Sequence, residues 1–419
     1  MSSSLADVVP RRDWAASVAN VVIGLLRRAG VSLGDLSEES LLCAARRRTG
    51  LSDFGDPLFL EGLRAMLQAF RDEAEASPLG WVIARTTVLE GLCNRLWINE
   101  EFRRNPQVAA LPVRQPLIIA SLPRSGTSFL YNLLAQDPLH RPMLAWEAAH
   151  PGRRPAELGR QPDPRIRRMV RLRRYVGHVM PGVLEAHPVD PTGPEECLGL
   201  LRNSFLWTPA IGLPSYRRWL YTAREEIQDF AYREYRQQLQ LLQWQRATKG
   251  RWLLKSPTHA FALDPLARAL PDVCLIQVHR DPDKVVASLC GLYAAWAGAF
   301  CDGLSAARIG PEVLAVVAKL FDLRRRFLAG PGKGRLLDIR YDDLIRDPLG
   351  MVRRIYERFD IPLTGDIESP LAQWLHNRAA DHRSKRTFRL EQFGLTHHDV
   401  DQVLGSYRHE LESDIEKQD

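Results

Sequence analysis

Arg124, Ser125, Gly126, Thr127 and Ser128 fall in succession at the point where a strand turns into a helix, and that placement suits them to bind an anion. In PVRQPLIIASLPRSGTSFLYNLLAQD, residues 112 to 137, the apolar run Leu117 to Ala120 reads as a buried strand, and Ser121 to Gly126 turn the chain. Beyond Gly126, Phe129, Leu130, Leu133 and Leu134 recur at helical spacing. The first amides of such a helix lack intrahelical partners and lie at the positive end of its dipole, so Ser125 to Ser128 suit a phosphate or sulfate group. A nucleoside-triphosphate loop requires G-x-x-x-x-G-K-[ST], but Ser121 stands for the first Gly and Thr127 for the Lys. Phosphoryl transfer from ATP is disfavoured without that Lys, which leaves a P-loop nucleoside or sugar kinase as the lesser enzymatic reading. A non-enzymatic helical scaffold with a degenerate nucleotide fold is the bland one.

Two later segments repeat the pattern. In RWLLKSPTH, residues 251 to 259, Lys255 falls where a strand ends, at the ligand edge of an open α/β sheet. In DVCLIQVHRDPDKVVASL a buried strand from Val273 to Val278 precedes Arg280, and Asp281-Pro282 opens a helix that includes Ser288; Arg280 and Ser288 can converge on one oxyanion. GRLLDIRYDDLIRDP adds a strand, Leu336 to Arg340, with Asp342 and Asp343 starting a helix. Strands alternating with helices imply a parallel sheet with right-handed crossovers. A proton acceptor would come from Glu147, which ends PMLAWE, read as a strand or extended segment, or from His259, His150, Glu195 or Glu196. A His needs less pKa tuning to act near neutral pH.

The remaining chain frames this core. Residues 1 to about 110 read as helices alone: Asp13 suits the start of one ending near Arg28, Ser37 opens another that stops by Gly50, and Asp56-Pro57 and Ser77-Pro78 each announce a further helix. Residues 151 to 250 read as a helical insertion on the acceptor side. It has a basic stretch from Arg165 to Arg174, read as a solvated helix face, and the aromatics Phe205, Trp207, Tyr216, Trp219 and Tyr221, which suit either core or an acceptor pocket. The core then takes 111–150 and 251–395, and Thr396 caps a C-terminal helix over 396–419. A net charge of +7 on 419 residues fits an anionic ligand, while no nucleic-acid motif appears. Val18 to Leu26 is too short to span a bilayer and is followed by Arg27 and Arg28 where a signal cleavage site would lie, so it reads as a helix of the mature protein. Six scattered cysteines, with no Cys/His cluster at metal spacing, point to a reducing, cytoplasmic setting.

LPRSGTSFL, the WE of AWEAAHP, PEECLGLL, LLKSPTH, the HRDP before Ser288, RYDDLIRDP and LEQFGL, in this order from about residue 50 to about 405, resemble the bacterial sulfotransferase family that uses 3′-phosphoadenosine 5′-phosphosulfate (PAPS). The resemblance implies a sulfotransferase fold, α/β with a P-loop-like parallel sheet flanked by helices, and transfer without a metal to a small-molecule, lipid or glycan acceptor. It implies that Arg124 to Ser128 hold the 5′-phosphosulfate, Arg280 and Ser288 the 3′-phosphate, and Lys255 the bridging oxygen, with Glu147 taking the acceptor's proton. Arg383, Lys385 and Arg386 would form a third phosphate-contacting loop. There the family has a His and an aromatic two apart, and this chain has Arg386 and Phe388.

Overall fold

The computed structural model describes residues 14–30, 35–206, 212–247, 250–303, 305–330, 332, 334–379 and 387–416. The chain forms two compact units, one of Val113–Met143, Thr248–Gly291 and Gly310–Asp419, the other of Met1–Pro112, Leu144–Ala247 and Leu292–Ile309.

The first unit holds the sheet. Five parallel strands, β1 (Leu117–Ile119), β2 (His140–Pro142), β3 (Arg251–Lys255), β4 (Cys274–His279) and β5 (Leu336–Arg340), lie in the order β2-β3-β1-β4-β5. β1 is central and buried throughout, which is why it reads as an unbroken apolar run, and β4 is buried along its whole length with Gln277 and His279 among its apolar residues. Leu117 and Ile119 pack with Leu130 and Leu134 of the helix Thr127–Leu134 and with Ile276 and Ile339. Each such side chain contributes about 1.5–3 kcal/mol by leaving water. The register sets Ile119 beside both Lys255 and Ile276. The ladder continues past β1 as Ala120 N–H donates to Ile276 O at 2.9 Å, and then Val278 N–H donates to Ser121 Oγ at 2.7 Å. Ser121, at the first-Gly place of a triphosphate loop, thus ties the loop to β4.

The second unit is helical. Ser37 caps Glu38–Thr49, which Gly50 closes in the left-handed region at φ 72°, and Ser77 with Pro78 opens Pro78–Arg104. Glu225–Gln245 is the longest helix of the stretch 151–250. Two local expectations change. Asp56-Pro57 makes a turn and the helix begins at Phe59. PMLAWE, expected to be extended from Pro142 to Glu147, is not a strand beyond its first residue: β2 is His140–Pro142, and Ala145–Ala149 is a short helix. The good helix formers of AWEAA account for this, together with the Glu147 carboxylate, which accepts the Leu144 N–H at 3.2 Å and closes the first turn. Among the described residues no helix is long and apolar enough to cross a membrane.

Candidate functional site

The loop between β1 and the helix Thr127–Leu134 is shaped by two residues in the left-handed region, Arg124 at φ 69° and Gly126 at φ 95°. Gly126 is the N-cap and has no side chain to cap the helix, so the first amides have the chemistry to bind an anion. Gly126 is required on two counts: its φ, and a ring that fills the space of a side chain. A Cβ there would lie 2.6 Å from Tyr341 Cδ2. Gly126→Ala is expected to lower the unfolding free energy by roughly 2 kcal/mol or more, by backbone strain plus overpacking. Urea denaturation checks this against Gly365→Ala, which meets nothing within 4 Å. Equal midpoints for the two variants would show that the Tyr341 ring yields freely.

Cations and hydroxyls from four segments meet at this loop. Arg124 Nε donates to Ser288 Oγ at 2.9 Å, and Arg280 donates to the Arg124 carbonyl at 3.2 Å while its guanidinium sits 4.5 Å from the centre of the Tyr341 ring. Lys255, 5% exposed at the end of β3, donates to Ser128 Oγ at 3.0 Å and lies 5.8 Å from the centre of the Tyr131 ring. Burial first, and then the charge of Arg280, press the Arg124 guanidinium below its ordinary pKa. Asp281 and Asp283 do not neutralise Arg280. Asp281 accepts the Asp283 amide, and Asp283 pairs with His397 at 2.6 Å and Arg408 at 3.2 Å. The buried Arg280 Nε has no hydrogen-bond partner among the described residues. Two adjacent guanidinium groups with no carboxylate partner among the described residues, a helix start and two hydroxyls have the chemistry to take a multiply charged anion.

A buried polar network that no sequence motif announces backs this loop. His279 Nε2 meets Asp338 Oδ1 at 2.6 Å, Tyr407 OH meets His279 Nδ1, and Arg324 binds Asp338 at 2.9 Å and Gln277 at 3.1 Å. Gln277 in turn donates to the Ala120 carbonyl at 2.8 Å. Burial raises the Asp338 pKa, but His279 and Arg324 outweigh it and hold the carboxylate below its ordinary range. The network fixes the ends of β4 and β5, and therefore the root of Arg280, from partners up to 128 residues away in the chain.

The proton-acceptor candidates divide. Glu147, 1% exposed, accepts from Arg246 Nε at 3.0 Å and from its terminal nitrogen at 3.2 Å. His259 is fully buried and burial pushes its imidazole down to about 3. Burial and the charges of Arg168, Arg202, Arg165 and Arg154 push His150 down to about 3. Glu195 pairs with His187 at 3.0 Å. The basic stretch is not uniformly solvated: Arg165 is buried, bound to Asp163 and the carbonyls of His150 and Pro151, and stacked 4.6 Å from the Trp146 ring centre. Phe205 and Tyr216 are core residues of the helical unit. Arg383, Lys385, Arg386, Trp207 and Asp13 lie outside the described residues.

A model of the sulfotransferase family matches residues 116–365, more than half of the chain. Over 138 residues, 32% of this chain, the sequence is 33% identical to the omega-hydroxy-beta-dihydromenaquinone-9 sulfotransferase Stf3 of Mycobacterium bovis and to that of Mycobacterium tuberculosis. The match spans 34% of the length of those relatives. Sulfotransferase STF9 of Mycobacterium avium superposes with a TM-score of 0.77 at 27% identity, covering 89% of this chain and 96% of that one. STF1 of Mycobacterium tuberculosis H37Rv gives 0.77 and 27%, with 88% and 98% covered. With the five-stranded parallel sheet and its cationic loop, these matches establish that the chain belongs to the sulfotransferase family.

Proposed function

We infer that this sulfotransferase takes its sulfuryl group from PAPS and passes it to a hydroxyl or amine of a small-molecule, lipid or glycan acceptor. The observation that carries the donor assignment is the pair Arg124 and Arg280, in which Arg280 donates to the Arg124 carbonyl and Arg124 to Ser288 Oγ, with no carboxylate paired to either guanidinium among the described residues. PAPS carries an anion at each end of its ribose, which is what two cation-hydroxyl groups on one loop would bind. Arg124 with Ser125, Gly126, Thr127 and Ser128 would hold the 5′-phosphosulfate, and Arg280 with Ser288 the 3′-phosphate. Arg383, Lys385 and Arg386 are proposed as further phosphate contacts.

When bound, PAPS supplies the sulfuryl group and a phosphate leaving group. Lys255 would supply a fixed charge for the negative charge that develops on the leaving oxygen, and Arg124 and the loop amides would stabilise the sulfuryl oxygens. Glu147 takes the acceptor's proton as the new bond forms; His259, neutral but weakly basic, is the second candidate for that step. The helices of residues 151–250 are proposed as the acceptor side. The substrate in the name of the mycobacterial relatives, a hydroxylated menaquinone, makes lipid hydroxyls the first class to screen with labelled PAPS.

Adenosine 3′,5′-bisphosphate should bind without Mg²⁺ in calorimetry, whereas Mg²⁺-dependent ATP turnover would support a kinase instead. Arg280→Ala should weaken that binding roughly 30-fold or more, about 2 kcal/mol for a lost charge-assisted contact. Thermal stability should change little, since among the described residues Arg280 holds no ion pair that its loss would break. Unchanged affinity in the variant would remove Arg280 from the donor site.

A further inference from the structure

The helix Trp14–Arg28 is amphipathic the wrong way round for a helix that only covers a core. Ala16, Asn20 and Gly24 face inward: Ala16 is buried, Asn20 Oδ1 accepts the Leu79 amide at 2.9 Å, and Gly24 lies against Pro78. The opposite face carries Trp14, Val18, Val21, Val22 and Leu25, which recur at helical spacing, and Leu26 beside them. Trp14 is 77% exposed, Val21 63% and Leu25 58%. A surface helix of a soluble protein ordinarily shows its polar face to water, so a continuous apolar outer stripe marks an interaction surface.

The charges around the stripe say what covers it. The helix has no acidic residue and ends in the exposed pair Arg27 and Arg28. It touches the helix Pro164–Val179, whose exposed Arg167, Arg171 and Arg174, three and four residues apart, form a basic face. No carboxylate pairs with these three or with Arg28 among the described residues. We propose that the outer face of Trp14–Arg28 docks this enzyme peripherally on an anionic lipid bilayer, its apolar side chains at the headgroup boundary and the arginines on the phosphates. Apolar residues with an aromatic on one side and arginines flanking them are the composition of an interfacial helix. A second copy of the chain fits less well. Fifteen residues give a band roughly 22 Å by 10 Å, on the order of 200 Å², against about 800 Å² per partner in a stable dimer, and symmetry would bring like charges together. The docking does not depend on the identity of donor or acceptor.

Cosedimentation of the full chain with vesicles tests it. The protein should partition onto equimolar phosphatidylcholine/phosphatidylglycerol vesicles and stay in solution with phosphatidylcholine alone, and salt should weaken the binding. The double variant Val21→Glu, Leu25→Glu should bind the anionic vesicles at least about tenfold more weakly with an unchanged melting temperature, because both positions are exposed. The proposal is overturned if the wild-type protein ignores the anionic vesicles, or if the double variant binds them as the wild type does. It is equally overturned if sedimentation equilibrium finds a vesicle-independent dimer that the two glutamates abolish, which would assign the stripe to a second copy.

Discussion

Glu147→Gln should lower kcat by about 10²- to 10⁴-fold, the usual contribution of a positioned base, while leaving adenosine 3′,5′-bisphosphate binding intact. The substitution keeps the shape of the side chain and an acceptor for the Leu144 amide, so the helix Ala145–Ala149 retains its first turn. What it removes is the carboxylate that faces Arg246. That ion pair sets the competing reading, in which Glu147 serves only as a buried anchor for Arg246. Its arginine side chain is 38% exposed, so it can be hydrated when its partner leaves, and the loss of stability from breaking the pair should be modest. A structural role therefore predicts a lower melting temperature with turnover preserved; a base predicts the reverse. His259→Ala is the matching control. An imidazole pushed down to about 3 is neutral at physiological pH and binds a proton weakly there, which argues against general-base work. Near-normal turnover in Glu147→Gln, with an inactive but folded His259→Ala, would move the role to His259.

The parts of the site carried by short chain segments could be read from sequence. A β-branched run, a turn and a change to helical spacing place Arg124 to Ser128 without knowledge of any partner, and the same logic puts Lys255 and Arg280 at strand ends. Misreading entered where pattern and context part company. Ala145–Ala149 is little more than one turn long, too short for periodicity to register, and what marks it as helix is its backbone bonds from Ala148 to Leu144 and from His150 to Trp146, with the Glu147 carboxylate closing the first turn. Ser121 breaks a motif but makes a ladder bond to Val278, and nothing local predicts that bond. The chain from Tyr407 through His279 and Asp338 to Arg324 joins residues that have no common spacing, because its members are brought together by parallel pairing of β4 with β5 and by a helix near the end of the chain. Arg165 shows the opposite problem: its sequence neighbours include the exposed Arg167 and Arg171, yet three kinds of polar partner and the Trp146 ring bury it.

Stability should fall steeply as pH drops from 6.5 to 4.5, well before most paired carboxylates take up protons. Among the described residues four histidines are buried, His140, His150, His259 and His279, and in each burial is the main cause that holds the imidazole below its ordinary value of 6.5. A depressed His binds its proton in the unfolded chain but not in the folded one. Its contribution is therefore complete above 6.5 and is lost as pH falls toward the folded value. For His150 and His259 that value is about 3, so the loss continues across the whole interval. At about 1.4 kcal/mol per unit for each group, the pair accounts for roughly 5 kcal/mol by pH 4.5, a large part of the 5–15 kcal/mol that stabilises an ordinary fold. Carboxylates held low by cations, such as Asp338 beside His279 and Arg324, add their losses only at lower pH. Urea midpoints measured at half-unit steps should decline through this window, and His259→Gln, which cannot charge, should flatten the slope. Midpoints level down to pH 4.5 would mean that the buried imidazoles take up protons in the folded protein at no cost.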